Sequence, residues 1–389
     1  MASYNFSNDV LFEILSRTEL KTMKKCRILS KECKDLTFES SFTRLHAQRT
    51  TTMVGYLLQS LRRANRVDSL FLSIDNPDLD RKITRNFLDF LSERVPVEIL
   101  ATVDEGLVFC CTRQFRADKF YICKPSTQQS EVVPSPNPRH FTEKVGMLVL
   151  GSNPLRFKIV RLSDAVHDEV EHARPTYSEV GFDDECYGHK RYHCEIFDSK
   201  SWEWKQSDDL MLSYYDVLNN KPAVSAQGGL HWLMYNMDQC NYNILSFYGD
   251  NDNWATSSLP DFLCRNNRRS TNLATCEGGL ALICVDRDSN SVDVWVSKDC
   301  FWIKKLRVNL ESFSEEIGHV CVNSFYNADT LFIIGLWTAI FYNFKTRESK
   351  NINLPLNYQT PELVYFIQSD FELVRFKLEE GKEEEESLH

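Results

Sequence analysis

Phe197-Asp-Ser-Lys-Ser-Trp-Glu-Trp204 and Phe247-Tyr-Gly-Asp-Asn-Asp-Asn-Trp254 are copies of one pattern, in which an aromatic residue stands seven positions before a tryptophan. Trp295-Val-Ser-Lys-Asp-Cys-Phe-Trp302 is a third copy. A double glycine that opens an apolar run precedes two of the copies, at Gly228-Gly229 and at Gly278-Gly279. Both signals recur with a period near fifty residues, which predicts that the second half of the chain is built from structural repeats.

The repeat continues beyond its third copy in a less regular form. Asp329 opens the same apolar run without glycines, and Phe341-Tyr-Asn-Phe-Lys-Thr-Arg-Glu348 carries a glutamate where the tryptophan stood. Such a period is typical of kelch-like β-propellers, in which each repeat forms one four-stranded blade. The polar link between the two aromatic positions is then a turn between neighbouring strands. Counting from residue 98 predicts roughly six blades, with Leu70–Asp75 and Phe371–Phe376 as alternative closing strands.

The composition describes a soluble globular protein. Of the 389 residues, 42% are hydrophobic and 26% are charged. The net charge of -10 disfavours binding to the phosphates of a nucleic acid. The longest apolar run, Leu331–Tyr342, is too short to span a bilayer. Thirteen cysteines without a signal peptide indicate reduced thiols. We therefore expect a protein of the cytoplasm, the nucleus or both, with neither a membrane nor a nucleic acid as partner.

The first 48 residues have a helical pattern and no strand-like alternation. Val10, Leu11, Ile14 and Leu15 recur at the spacing of one helix face, and Thr18 is placed to cap a second helix. Three or four short helices cannot bury much apolar area by themselves. This unit is therefore expected to pack against a partner or against the next domain.

Two phrases in this helical region resemble the F-box. Phe6–Arg17 is similar to the family's helix, which reads roughly D-x-x-x-E-I-L-x-R, and Lys24–Cys33 is similar to its C-R-x-V-S-K-x-W phrase at the same spacing. The sequence departs from the family at Phe6-Ser7, where Leu-Pro is usual, and at Cys33, where Trp is usual. The resemblance implies that residues 1–48 form an F-box, which docks on a Skp-type adaptor.

The adaptor-binding residues that this resemblance implies come from both phrases. Seven of them are apolar or cysteine residues of the interface or local core, and the last two lie at its edge: Val10, Leu11, Ile14, Leu15, Cys26, Ile28, Leu29, Ser30 and Lys31.

Residues 49–97 are interpreted as a linker or transition region. Met53–Leu61 is predicted to form a short helix, and Ser69–Asp75 is predicted to form a strand that Asn76-Pro77 ends.

Later phrases resemble the plant F-box-associated domain. Asp104–Cys110 and Phe120–Gln128 are similar to the family's N-G-L-L-C and Y-x-C-N-P-x-T-x-Q phrases, with Lys124 in place of the usual Asn. Gly229–Leu233 and Val292–Trp295 agree with later phrases of the family in order and spacing. The chain thus resembles a plant F-box protein with a C-terminal F-box-associated, kelch-like domain.

The fold expected from this resemblance is α plus all-β. A helical F-box over residues 1–48 precedes a kelch-like β-propeller over residues 98–378, and residues 379–389 form an acidic disordered tail.

The resemblance implies a non-catalytic protein without a cofactor. It would be the substrate-recognition subunit of a Skp-cullin-F-box ubiquitin ligase, joined to the cullin-RING ligase through the Skp-type adaptor. Its propeller would hold a protein client near the ligase and raise the client's effective concentration. The alternative is a stand-alone propeller module for a protein or glycan ligand, with a degenerate F-box.

Recognition of the client is expected on loops, which a rigid scaffold presents. The candidate loops are 111–119, 163–190 and 264–272. Arg265, Arg268 and Arg269 in the last of these are candidates for holding an acidic or phosphorylated client, the alternative being a plain solvated loop.

The sequence offers little that could support catalysis or a metal site. Cys186, His189, His193 and Cys194 have zinc-ligating atoms within nine residues, but no second ligand pair accompanies them. Surface histidines and a buried Cys194 are the favoured interpretation. His231 lies in an apolar run and is predicted to be a hydrogen-bonded core or channel residue. No nucleophile elbow, phosphate loop or dinucleotide motif occurs.

Overall fold

The computed structural model contains an N-terminal helical unit followed by a ring of six β-sheets. It describes residues 8–37, 39, 42, 45–46, 49–50, 52–62, 66–74, 88–92, 95–103, 106–113, 118–137, 140–152, 154–164, 189–260, 269–286, 289–298, 301–310, 321–335, 337–355 and 363–377. The helices are α1 (Asn8–Leu15), α2 (Leu20–Leu29) and α3 (Lys31–Thr37), and a 3₁₀ turn covers Pro125–Thr127.

The strands of the described residues follow in chain order: β1 (Met53–Arg62), β2 (Arg66–Leu72), β3 (Val97–Thr102), β4 (Val108–Thr112), β5 (Lys119–Lys124), β6 (Gln129–Val133), β7 (Phe141–Ser152), β8 (Leu155–Asp164), β9 (His189–Asp198), β10 (Glu203–Gln206), β11 (Leu210–Ser213), β12 (Asp216–Leu218), β13 (Val224–Ala226), β14 (Gly229–Asn236), β15 (Asn241–Tyr248), β16 (Asn253–Ser258), β17 (Arg269–Cys276), β18 (Gly279–Asp286), β19 (Ser291–Lys298), β20 (Phe301–Asn309), β21 (Cys321–Asn327), β22 (Thr330–Ile334), β23 (Thr338–Asn343), β24 (Glu348–Asn353) and β25 (Leu363–Ser369).

The helical unit has a core of its own. Leu15, Leu20, Met23 and Phe42 are buried in it, and the ring of Phe12 meets that of Phe42 edge-on, with centroids 5.4 Å apart. Leu15 comes from the amphipathic stripe that the sequence predicts in the first helix, because positions three and four apart share one helix face. The core is small, as expected for helices of this length.

The six sheets are the blades of a propeller, which confirms the predicted fold class and blade number. Blade 1 contains β1, β2 and β25, blade 2 contains β3–β6, blade 3 contains β7–β11, blade 4 contains β12–β16, blade 5 contains β17–β20 and blade 6 contains β21–β24. The outer strand of blade 3 is divided into β10 and β11, and the inner strand of blade 4 into β12 and β13. Inner strands contact each other in the order β25, β3, β7, β13, β17 and β21.

Blade 1 joins the two ends of the propeller, because β25 pairs with β1 in the register Met53↔Ser369. The predicted helix at Met53–Leu61 is therefore wrong, and the segment is a buried strand instead. A continuous apolar run fits a buried strand as well as a helix, so its periodicity does not discriminate. Part of region 49–97 thus belongs to the propeller, and the closing strand is Leu363–Ser369 rather than either of the two segments that the sequence offered.

Polar side chains of blade 2 fasten the closing strand. The buried Lys124 ammonium pairs with the Asp370 carboxylate and donates to the Glu372 carbonyl at 2.7 Å. Gln129 exchanges two hydrogen bonds with the backbone of Val374, at 2.9 and 3.0 Å. Lys124, where the resembled family carries Asn, is therefore a structural residue of the ring closure.

The double glycines lie at tight turns between inner strands and their neighbours. Gly228 links β13 to β14, Gly278 links β17 to β18, and both have φ of +75°. The preceding residues Gln227 and Glu277 also have positive φ. Two successive positive φ values match the two-residue hairpin turn whose twist fits antiparallel strands, and glycine adopts them without steric strain.

The repeated tryptophans join neighbouring blades. Trp204 of blade 3 lies 6.4 Å, centroid to centroid, from Phe109 of blade 2, and its indole N–H donates to the Pro134 carbonyl at 2.7 Å. Trp254 of blade 4 packs on the core that blade 3 shares with it, and Trp302 of blade 5 packs on residues of blade 4. The three rings are half-buried between neighbouring blades.

Candidate interaction surfaces

The residues predicted to bind an adaptor fall into a buried and an exposed set. Leu15 belongs to the core of the helical unit, and the half-buried Cys26 packs against that core. Leu11 and Ser30 are half-buried, whereas Lys31 is exposed. The Ser30 hydroxyl accepts a hydrogen bond from the Cys33 amide at 3.3 Å, at the start of α3. Leu15 and Cys26 thus support the surface rather than form it.

The exposed set consists of four large aliphatic side chains on two helices. Val10 and Ile14, 43% and 51% exposed, lie one turn apart on α1 and so share a face. Ile28 and Leu29 end α2 and are 85% and 84% exposed. A partner that covers aliphatic groups this exposed removes their apolar surface from water, which is favourable for binding. They are the part of the predicted set that is available for docking.

A charged network that the sequence analysis missed fixes α1 to the segment that leads into the propeller. The Glu13 carboxylate accepts hydrogen bonds from Arg49 at 2.9 Å and from Arg17 at 2.6 Å. These bonds, that of Arg49 first, lower the pKa of Glu13. Glu13 and Arg17 at i and i+4 could have been found from sequence, whereas the contact with Arg49 requires the tertiary fold.

The inner strands run toward the helical unit. Ala226, Thr275 and Tyr326, the last or next-to-last residues of β13, β17 and β21, line the same cavity as Ile28 of α2. Adjacent strands of a blade run antiparallel. The second strand of a blade therefore runs away from the helical unit, and its connection to the third strand lies at the opposite end of the propeller. The fourth strand also ends there, so the connection from one blade to the next lies at the same end. We call this end the far end of the propeller.

The described strand ends that flank the three candidate client loops lie at the far end, whereas residues 114–117, 165–188 and 264–268 of these loops lie outside the described residues. Loop 111–119 connects β4 to β5, loop 163–190 connects β8 to β9, and loop 264–272 precedes or begins β17. Arg269 starts β17, opposite Asp286 in the register, although its side chain lies outside the described residues. Arg265 and Arg268 also lie outside the described residues.

Exposed apolar side chains gather at this end, and sequence patterns did not indicate them. They lie at or near the start of inner strands, within or directly after the outer strand β11, or in turns between second and third strands: Phe141, Met211, Tyr214, Val217, Met237 and Trp337. Tyr214 and Met237 are near neighbours, because the Met237 amide donates to the Tyr215 carbonyl at 2.9 Å. Aromatic residues and methionine are enriched in protein interfaces.

A buried ion pair in blade 3 holds backbone segments near the far end in place. The Arg161 guanidinium pairs with the Glu195 carboxylate on the neighbouring strand of blade 3. It also donates to the Asn137 carbonyl at 3.2 Å and to the Thr142 hydroxyl at 2.7 Å, while Glu195 accepts from the Asn137 amide at 3.2 Å. The connection between blades 2 and 3 is thereby held in place.

The structure separates the residues considered for zinc. His193 contacts the Asp209 carboxylate at 2.9 Å, and Cys194 is buried in the core. Successive residues of a strand point to opposite faces, so the two side chains do not converge. Cys186 lies outside the described residues, and within those that are described no cluster of three or more His, Cys, Asp or Glu could hold a metal ion.

His231 is a buried core residue, as predicted. Its Nε2 lies 3.0 Å from the Ala226 carbonyl and its Nδ1 lies 2.8 Å from the Ser246 hydroxyl. Because the carbonyl can only accept, Nε2 carries a proton and donates it to Ala226. Burial lowers the pKa of His231, consistent with a structural role.

No helix in the described part of the chain combines the length and the apolar character needed to cross a membrane.

Comparison with known proteins matches residues 58–387 to the family described as F-box associated beta propeller domain. F-box protein At5g41720 of Arabidopsis thaliana is 36% identical over 162 residues, which cover 40% of this chain and 85% of that protein. F-box protein CPR1 of the same plant is 24% identical over 311 residues, or 75% of this chain and 69% of the relative. F-box protein At5g49610, also from Arabidopsis thaliana, is 26% identical over 267 residues, which cover 66% of this chain and 65% of that protein, slightly less than two thirds of its length.

Proposed function

This chain belongs to the F-box associated beta propeller family of plant F-box proteins, and on that premise we propose that it is the substrate-recognition subunit of a Skp-cullin-F-box ubiquitin ligase. Its helical unit docks on a Skp-type adaptor, which connects it to the cullin-RING ligase. Its propeller binds a protein client in the cytoplasm, the nucleus or both. The protein acts by raising the local concentration of the client, and the chemistry belongs to other subunits.

The observation that carries this proposal is the exposure of Ile28 and Leu29 at the end of α2. Val10 and Ile14 add two partly exposed aliphatic groups on α1. Each group that a partner buries fully contributes about 1.5–3 kcal/mol of transfer free energy. Four such groups support a specific docking surface on a unit whose own core is small.

The positions of the two ends of the propeller support separate binding sites for the adaptor and the client. The helical unit lies at one end of the propeller. The strand ends that flank the candidate client loops lie at the far end, where Phe141, Tyr214, Met237 and Trp337 are exposed. A client bound at the far end leaves the adaptor surface accessible. Arg265, Arg268 and Arg269 come from the segment of sequence that leads into β17, and guanidinium groups suit an acidic or phosphorylated client.

Binding of a purified Skp-type adaptor to the full chain tests the proposal. We expect a complex for the wild type and a loss of at least about 30-fold in affinity for the double variant Ile28→Asp, Leu29→Asp, because charges replace interface anchors. Both side chains are outside the local core, so the variant should stay folded. Phe301→Asp, an equally drastic change at a 73% exposed residue of β20, is the matched control and should bind normally.

A folded wild type that fails to bind the adaptor at about 10 μM would refute the ligase assignment. The alternative, a stand-alone propeller module with a degenerate F-box, would then stand. Its ligand would be a protein or glycan, and the exposed aromatic residues of the far end would be its first candidate contacts.

A further inference from the structure

Among the described residues, the outermost strand of each blade has an edge that pairs with no other strand of its sheet. Such an edge presents backbone N–H and C=O groups, and an extended chain can pair with them. Proteins protect these edges with charged side chains, β-bulges, short strands or a covering segment. The protection of each edge therefore indicates where this propeller can accept a further strand.

Five of the six blades protect this edge in the part of the chain that the structure describes. In blade 2, Gln129 of β6 bonds to the covering segment at Val374. In blade 3 the edge is divided into two strands of four residues, and in blade 5 the pairing of β20 with β19 contains a bulge. The five edges also carry charged side chains: Arg66, Asp68, Glu131, Glu203, Lys205, Lys304, Lys305, Arg307, Glu348 and Lys350.

β16, the outermost strand of blade 4, has none of these protective features. Its six residues, Asn253–Ser258, include no charged side chain. Its register with β15 continues without a bulge over all six positions. All of its residues except Trp254 are exposed, so no other segment covers the strand. β16 is therefore an open and regular edge.

The hydrogen bonds of β16 show which backbone groups face the open edge. The amide of Leu259, directly after the strand, donates to the Tyr242 carbonyl of β15 at 3.0 Å. In an antiparallel pair, residues that bond to the partner strand alternate with residues whose N–H and C=O point away from it. Counting back from Leu259, the N–H and C=O groups of Trp254, Thr256 and Ser258 point toward the open edge. They are the groups that an added strand would bond.

The size of the edge favours an extended segment over a second folded copy of this chain. A stable interface between folded proteins takes about 20–30 residues from each side, whereas β16 offers six residues at the rim of the propeller. Strand addition needs a shorter site, because main-chain hydrogen bonds supply affinity and alternate side chains supply specificity. The edge therefore suits an extended segment of a partner protein.

The side chains of the edge favour an uncharged segment. A charged group placed over β16 would lose hydration without gaining an ion pair. Ala255 and Ser257 are small and lie on the same face of blade 4 as Tyr248, which is 40% exposed. This face has space for the β-branched and aromatic side chains that strands prefer.

A carboxylate next to the edge indicates a cationic group at one end of the segment. Asp250 lies in the turn before β16 and is exposed. Its neighbour Asp252 pairs with Lys158 at 2.6 Å, whereas no described residue forms an ion pair with Asp250. A lysine or arginine beside the start of β16 would therefore meet an uncompensated negative charge.

We propose that β16 binds an extended segment of a partner protein by strand addition. The segment is uncharged and rich in β-branched residues, it runs antiparallel to β16, and a lysine or arginine follows it. In this orientation its C-terminal end lies beside Asn253, and the cationic group pairs with Asp250. That the partner is the client rests on the proposed function, whereas the pairing does not, because it uses no residue of the helical unit.

Fluorescence anisotropy of a labelled peptide added to the full chain tests the proposal. The probe alternates threonine and valine over the length of β16, ends in a lysine and carries a fluorophore at its N-terminus. We expect saturable binding with one site per chain, and at least about tenfold weaker binding to Thr256→Pro, because proline removes an outward N–H. The bonds between β16 and β15 stay intact in this variant, since the Thr256 N–H does not contribute to them.

The matched control is Ser349→Pro on β24 of blade 6. The Leu354 amide donates to the Trp337 carbonyl at 2.7 Å, so the N–H of Ser349 faces outward as that of Thr256 does. Ser349→Pro should bind the probe as the wild type does. Thr256→Val, which keeps the backbone N–H, should also bind normally.

Two further measurements separate backbone pairing from charge. A probe with methylated backbone amides keeps its side chains and should not bind, because it cannot donate to the edge. Asp250→Asn should weaken binding of the lysine probe about threefold and leave a probe that ends in alanine unaffected.

Several outcomes would overturn the proposal. They are absence of binding at about 1 mM probe, equal binding by wild type and Thr256→Pro, and equal weakening by the two proline variants. Self-association of the wild type that Thr256→Pro abolishes, measured by analytical ultracentrifugation, would assign the edge to a second copy instead. Unfolding midpoints check that the variants are folded, and the methylated probe decides the question if Thr256→Pro is not. Adaptor binding measured on the same samples reports separately on the ligase function.

Discussion

The helical unit and the propeller bury their apolar side chains to different extents. The propeller encloses them in several connected clusters between blades, and it also buries the ion pairs Lys124–Asp370 and Arg161–Glu195 with added backbone hydrogen bonds. The helical unit buries four large side chains and leaves Ile28 and Leu29 almost wholly in solvent. In a closed ring each blade buries its apolar faces against the neighbouring blades, whereas the short helical unit leaves aliphatic side chains exposed that a partner could cover.

This difference predicts that the two units respond separately to damage. Stability in a repeat ring is shared among neighbouring blades, whereas the helical unit has one small core. The propeller should therefore tolerate changes in the helical unit, and changes at the ring closure should affect the propeller first.

The largest expected effect follows from Phe42→Ala in the core of the helical unit. Phe42 is fully buried against Phe12 and stacks on His46, and truncating such a ring costs about 3–5 kcal/mol. That exceeds what a core of this size can supply, so α1–α3 should lose their structure. Hydrogen exchange should show loss of protection in residues 8–37 and unchanged protection in β14 and β18, and adaptor binding should be lost.

The control for this prediction is Phe301→Ala, which removes an exposed ring and should change neither region. Loss of protection throughout the propeller of Phe42→Ala would contradict the independence of the two units.

The next effect is expected from Lys124→Ala at the ring closure. The variant leaves the Asp370 carboxylate without its buried cation, and breaking a buried pair from one side costs about 3–5 kcal/mol. Urea unfolding of the propeller should show this loss. Lys377→Ala is the matched control, since its pair with Glu131 is half exposed and contributes about 1 kcal/mol or less. Equal losses in the two variants would show that Lys124 does not anchor β25.

The smallest effect concerns pH and involves one histidine in each unit. His46 lies 2.8 Å from the Thr18 carbonyl, and His231 has the corresponding contact with Ala226. Burial lowers the pKa of both below the ordinary value of 6.5. On acidification these histidines therefore take up protons in the unfolded chain before they do so in the folded protein. Their contribution to the free energy of unfolding is complete above pH 6.5 and is lost as the pH falls below that value.

Unfolding followed between pH 7.5 and 5 checks this direction. His231→Asn should reduce the pH dependence of the propeller and leave that of the helical unit, followed by hydrogen exchange, unchanged. Greater stability at pH 5 than at pH 7.5 for either unit would contradict a neutral buried ring there.

The repeats were predictable because their signals are local. Gly228 and Gly278 mark tight turns, and Phe197 with Trp204, like Phe247 with Trp254, forms a directly opposed cross-strand pair. A turn and the two strands that it joins fit within a short stretch of chain, so a period near fifty residues is readable from sequence.

The candidate surfaces were predictable only in outline. The resemblance indicated which residues of the helical unit could dock, but the separation of buried Leu15 from exposed Ile28 depends on how three helices pack. The exposed residues of the far end were not indicated, since Tyr214 and Met237 become neighbours only through the backbone hydrogen bond between Met237 and Tyr215. A side chain at a strand end has no periodic signal of its own.

The sequence by itself determined the helical character of the N-terminus, the blade repeat and the turns within each blade, because local backbone preferences and hydrophobic spacing encode them. Only the tertiary structure decided that Met53 begins a strand opposite Ser369, that Lys124 fastens the closing strand, and that Arg27 and Lys34 share a cavity with the inner strands. Each of these contacts joins residues that are distant in the chain, and their pairing depends on closure of the whole ring.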